Sequence, residues 1–129
     1  MRCLIVTPNY TLRDSLRMVV TGLTDAEILT ARDCAGARAA LLERPADVAL
    51  LDGHLRMEEL AALLGELATL APGARSAVLL DGRAGASPAE VTAAGAEVLA
   101  IYTQPASEFF AALARFLGRA GLRSALPAS

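Results

Sequence analysis

The sequence predicts a three-layer α/β fold, with helices covering both faces of a five-stranded parallel sheet. Short apolar runs alternate with longer segments of helical periodicity, five times along 129 residues. Four of those runs are continuously hydrophobic, as strands buried on both faces of a parallel sheet are.

The first strand is predicted at Cys3 to Val6, followed by a helix that begins near Asn9 or Thr11 and carries Leu12, Leu16, Val19 and Leu23. The second strand, Ala26 to Thr30, mixes polar and apolar residues and suits a sheet edge. Asp33 can cap the next helix, whose apolar positions are Ala37, Ala40 and Leu41 and which must end before Pro45. The third strand, Val48 to Leu51, leads to a helix marked by Leu60, Leu63, Leu64 and Leu67 and stopped at Pro72-Gly73. The fourth strand is Ala77 to Leu80. Ser87-Pro88-Ala89-Glu90 then reads as a helix start, with a capping serine, proline at the first helical position and glutamate closing the capping box. A fifth strand, Val98 to Ile101, precedes a last helix from about Ser107 to Leu117, with Gly118 and Gly121 ending it. Residues 1–120 are expected to form one domain, and 121–129 a tail or the start of a linker.

Composition narrows the function. With 54% hydrophobic residues the chain can bury a core without disulfides, so Cys3 and Cys34 read as free thiols in a reducing compartment. Cys3 belongs to the core. Cys34 sits at a helix start, where a thiol pKa can fall, but a structural role is the favoured reading for it too. A net charge of −2 argues against a nucleic-acid surface. No unbroken apolar stretch approaches the ~18 residues of a membrane span, and the N-terminus lacks a signal-peptide pattern. A cytoplasmic protein is expected. All 12 basic residues are arginine, which excludes any mechanism that needs a lysine ammonium.

In open α/β sheets the functional crevice lies at the carboxyl ends of the strands. Here those exits are Thr7-Pro8-Asn9, Asp52-Gly53-His54, Asp81-Gly82-Arg83 and Thr103-Gln104-Pro105. Asp-Gly is an ordinary turn dipeptide, so each aspartate has a purely local explanation as well as a chemical one. Asp52 and Asp81 occupy equivalent exits of the third and fourth strands. Neighbouring strands lie ~4.8 Å apart, so the two carboxylates can share a proton or hold a cation with help from Asn9 or a backbone carbonyl. Arg56 or Arg83 can pair with one of them instead. A local cap or an arginine partner is the favoured role for Asp81. His54 is the only histidine. No nucleophile or orienting group for it is evident in the sequence, so a solvent-facing turn residue is expected.

In chain order, several segments together resemble a response-regulator receiver domain. They are Leu4-Ile5-Val6 followed by Asn9 to Arg17, Asp47-Val48-Ala49-Leu50-Leu51-Asp52, Ala94-Gly95-Ala96 and Gln104-Pro105, and the likeness spans roughly residues 1–120. The resemblance implies a flavodoxin-like sheet in the order 2-1-3-4-5 and a cis peptide at Gln104-Pro105. It places Asp52 at the family's phosphoacceptor position.

The departures fall on the same site. The family's pair of acidic residues after the first strand, which hold a divalent cation, is here Thr7 and Pro8. Its hydroxyl residue after the fourth strand is Asp81, and its lysine before the proline is Gln104, in a segment about two residues longer than usual. The aromatic switch position falls on Ile101, with Tyr102 beside it. Phosphoryl transfer develops charge that a cation and a lysine neutralise, and losing one such partner costs about 10²–10³ in rate. The altered pocket of Thr7, Pro8, Asp81, Gln104 and Pro105 therefore predicts weak or absent phosphorylation, no metal site and no cofactor, with weak Mg²⁺ binding as the alternative.

Four of the five aromatic residues lie in the last quarter of the chain. Helical spacing puts Phe109, Leu113 and Phe116 on one face, with Phe110 and Leu117 at its edge. Tyr102 and Phe110 are the candidate interaction surface, available to a second copy through the last helix and strand. The expected function is an atypical receiver module, not an enzyme. It works through contact with a signalling partner such as a kinase or an output domain, without nucleic acid or membrane. The alternatives are a working phosphoacceptor at Asp52, the regulatory half of a longer transcriptional regulator, and a small α/β enzyme or nucleotide binder. The last is disfavoured because Thr7-Pro8-Asn9-Tyr10 has no glycine to let a phosphate approach.

Overall fold

The computed structural model describes residues 1–83, 85–101 and 106–119. Strands and helices alternate without exception: β1 (Arg2–Val6), α1 (Tyr10–Leu23), β2 (Glu27–Ala31), α2 (Cys34–Glu43), β3 (Val48–Asp52), α3 (Met57–Leu70), β4 (Arg75–Leu80), α4 (Pro88–Ala93), β5 (Glu97–Ala100) and α5 (Ala106–Arg119). All strand pairs are parallel and the sheet order is β2-β1-β3-β4-β5.

The central strands are buried on both faces, and alternate residues feed two separate cores. Leu4, Val6, Ala49, Leu51, Val78 and Leu80 pack under α2, α3 and α4, against Leu41, Leu60, Leu63 and Val91. Cys3, Ile5, Val48, Leu50, Ala77 and Leu79 face α1 and α5, against Leu16, Val20, Leu113 and Phe116. A slip of one residue in any of these strands would exchange the two cores, so register is strongly specified.

The helix ends follow local chemistry. The Asn9 side chain accepts from Leu12 N at 3.1 Å, the Asp33 side chain from Gly36 N at 2.8 Å, and Ser87 with Glu90 closes a full capping box. Several expected boundaries move by one or two residues, two of them for a visible reason. The second strand begins at Glu27, one residue late, because Ala26 N is held by Thr24 Oγ1 at 3.2 Å in the preceding turn. The last helix continues through Gly118, which is not in the left-handed conformation of a glycine cap. Buried Phe116 and Leu117 hold that turn by packing. Leu117 therefore belongs to the core stripe and not to its edge, while Phe110 points outward, 43% exposed.

Candidate functional site

The sheet register brings the exits of β1 and β3 side by side. Val6 pairs with Leu51, so the next residues, Thr7 and Asp52, face each other at the carboxyl edge. Thr7 is fixed there by its backbone N–H, which donates to Ala31 O at 2.9 Å and carries the β1–β2 ladder one step further. Its side chain is buried, and Oγ1 donates to Asp52 Oδ2 at 2.7 Å. The same oxygen accepts from Asn9 N at 3.0 Å, which shapes the turn that lets Asn9 cap α1.

Asp52 is also buried, at 5% exposure. Its second oxygen, Oδ1, accepts from the His54 backbone N–H at 2.9 Å. The carboxylate is thus held by two neutral donors, and no ion pair reaches it among the described residues.

Asp81, at the exit of the neighbouring β4, has partners of its own. Oδ1 accepts from Arg83 N at 3.0 Å, and Oδ2 lies 2.6 Å from His54 Nε2. The Arg83 backbone N–H, and after it the His54 imidazole, hold the Asp81 carboxyl below its ordinary value. Asp81 is the local cap that the sequence suggests, but its side-chain partner is a histidine and not Arg56 or Arg83. The hydrogen bonds of the two aspartates run to other groups and not to each other. His54 is half-exposed, as a turn residue would be, yet it is not merely solvent-facing: its ring bridges to Asp81.

The turns after β3 and β4 touch backbone to backbone. Gly53 N donates to Leu79 O at 2.9 Å, and a Cβ at Gly53 would lie 2.2 Å from that oxygen. A Cβ at Gly85, whose φ is +126°, would lie 2.2 Å from Gly53 O. Only glycine fits either place. Two small cavities flank the bridge. One of about 150 Å³ lies over Asp52, lined also by Asn9, Leu12 and Ile101. The other, about 250 Å³, lies between the two turns and is lined by Arg83, Ser87 and Pro88. His54 and Asp81 line both.

Pro8 is exposed beside Thr7 and supplies no ligand. Tyr102, Gln104 and Pro105, and with them the expected cis peptide, lie outside the described residues. Cys3 is core, its thiol pushed up to about 12 by burial. Cys34 begins α2, and its thiol is raised, first by desolvation and then by Glu66, Glu59 and Asp33.

No protein-family model and no curated protein matches the sequence. Solved structures do match it closely in shape. A signal receiver domain of an HD domain-containing protein from Pseudomonas fluorescens superposes with a TM-score of 0.73 at 20% identity, over 93% of this chain and 96% of that one. A two-component response regulator from Clostridium difficile gives 0.72 at 13% identity, over 92% and 97%. The fold is that of a receiver domain. A CheY-like receiver domain protein from Methanospirillum hungatei gives 0.70 at 20% identity, over 93% and 95%.

A receiver fold implies a divalent cation beside the phosphoacceptor carboxylate, and the residues here do not fit one. Mg²⁺ wants one or two free carboxylates with room for its waters. Thr7 and Pro8 bring no charge, and each Asp52 oxygen already accepts one O–H or N–H donor. Among the described residues no three His, Cys, Asp or Glu side chains are grouped to hold a metal ion. The His54–Asp81 bridge is what sequence reasoning missed. The strand order carries the signal, since the exits of β3 and β4 are neighbours and a residue two positions past one can reach the first residue past the other.

Proposed function

We propose that this chain is a receiver-type signalling module that works by protein–protein contact and not by a metal-dependent phosphoryl switch at Asp52. The Thr7 Oγ1 to Asp52 Oδ2 hydrogen bond at 2.7 Å carries this reading. It puts a neutral donor on the oxygen that a cation or an attacking phosphoryl donor would need. Asp81 adds a second negative charge nearby, where an incoming anion would have to be stabilised. The partner class that suits the fold is a signalling protein, a kinase or an output domain, met in the cytoplasm. Self-association through α5 and β5 is a second contact mode, supported by the exposure of Phe110. A monomer by solution scattering at high concentration counts against it. No helix among the described residues is long and apolar enough to cross a membrane.

The experiment is incubation with beryllofluoride and Mg²⁺ while the amide spectrum is followed. The proposal expects no shifts at Asp52, Gly53 or Asp81. Saturable shifts centred on Asp52 would instead establish a working phosphoacceptor with an unorthodox site.

A further inference from the structure

We propose that His54 is a phosphoryl-accepting histidine, with Nδ1 the nucleophile and Asp81 the residue that orients the ring. A histidine needs three things for this work: an orienting partner on one ring nitrogen, a free second nitrogen, and space for the incoming group. Nε2 is 2.6 Å from Asp81 Oδ2, and an ionised carboxylate there can only accept, so the neutral ring carries its proton on Nε2 and its lone pair on Nδ1. Nδ1 has no hydrogen-bond partner among the described residues, and the side chain is 47% exposed. The ring is held at its base as well, since the His54 backbone N–H is bound to Asp52 and Gly53 is clamped against Leu79.

Arg83 favours this atom over Asp52. No ion pair reaches Asp52 among the described residues, whereas the 250 Å³ cavity that His54 and Asp81 line is also lined by Arg83, whose guanidinium suits phosphoryl oxygens and offsets the Asp81 charge. The donor class is a phosphoramidate or an acyl phosphate. The Nδ1 lone pair forms the N–P bond. The bond from phosphorus to the donor nitrogen or acyl oxygen breaks, and that group leaves with the electron pair. The Nε2 proton stays in place, and the positive charge developing on the ring is met by the Asp81 carboxylate. No metal and no lysine enters the step, which matters in a chain without lysine.

The test is incubation of the full chain with phosphoramidate, read by intact mass at neutral pH, with acid and alkali treatment of the product. A single phosphoryl adduct is expected that is acid-labile and alkali-stable. It should be absent in His54→Ala, retained in Asp52→Asn, and formed about 10-fold or more slowly in Asp81→Asn. Thermal unfolding of each variant confirms that it is folded. No adduct on the folded wild-type chain overturns the proposal, as does an adduct that survives His54→Ala. An alkali-labile adduct lost in Asp52→Asn overturns the contact-only reading of Asp52 instead, so the two failures are separable.

Discussion

The hydroxyl of Thr7 donates to Oδ2 of Asp52 at 2.7 Å, across the β1–β3 boundary, with both side chains buried. A buried carboxylate needs donors, and here neutral groups supply them. Thr7→Val keeps the shape and removes the donor, so Asp52 is left short of one bond in a buried site. The expected loss is about 1–3 kcal/mol in urea unfolding, with Thr7→Ser retaining most of the stability. Equal stability of the valine and wild-type proteins would show that the bond contributes nothing.

The His54–Asp81 bridge gives a pH dependence with a defined sign. Asp81 is lowered from its ordinary 3.8, chiefly by the Arg83 backbone N–H and then by His54. A carboxyl depressed in the folded state stabilises the fold above its unfolded pKa, and that contribution fades as pH falls through the lower folded value. Wild type should therefore exceed Asp81→Asn in stability at pH 5 to 6, and the difference should shrink toward zero in strong acid. Thermal unfolding across that range checks it, and a difference that grows on acidification contradicts the sign.

Two glycines separate steric need from backbone freedom. Gly53→Ala places a methyl 2.2 Å from Leu79 O and 2.6 Å from Leu80 Cδ2, between turns that cannot part without losing their hydrogen bond. Gly65, in the middle of α3, has nothing within 4 Å of such a methyl. Gly65→Ala should stabilise by roughly 0.5–1 kcal/mol, and Gly53→Ala should destabilise by more than that. Denaturant melts of the pair decide it, and the same sign for both would refute the steric account.

The two thiols differ in cause but agree in direction. Cys3 is fully buried in β1 and its thiol is raised to about 12. Cys34 is raised by partial desolvation and the neighbouring Glu66 and Glu59. Both should react with a thiol reagent at pH 8 more slowly than a free cysteine, Cys34 first and Cys3 only on unfolding. Fast labelling of Cys34 on the folded protein would refute the acidic surroundings described for it.

The fold was legible because its signals are local and consistent. Apolar runs such as Val48 to Leu51, the Asp33 cap and the Ser87–Glu90 box each specify their own element, and their alternation leaves little topological freedom. The site was legible in part. Asp52 and the odd neighbours Thr7, Pro8 and Asp81 stand out one position at a time. What escaped were pairings across the sheet: Thr7 with Asp52 is 45 residues apart, and His54 with Asp81 is 27. The surroundings of Cys34 escaped for the same reason, since Glu59 and Glu66 reach it from α3.

Whether Asp52 takes a phosphoryl group decides how this chain signals. The chain is incubated with acetyl phosphate and Mg²⁺, and the intact mass is read before and after hydroxylamine, with Asp52→Asn alongside. No hydroxylamine-labile adduct on the wild-type chain is the predicted result. A labile adduct that Asp52→Asn abolishes would contradict the claim that Thr7 has closed this site to phosphoryl chemistry.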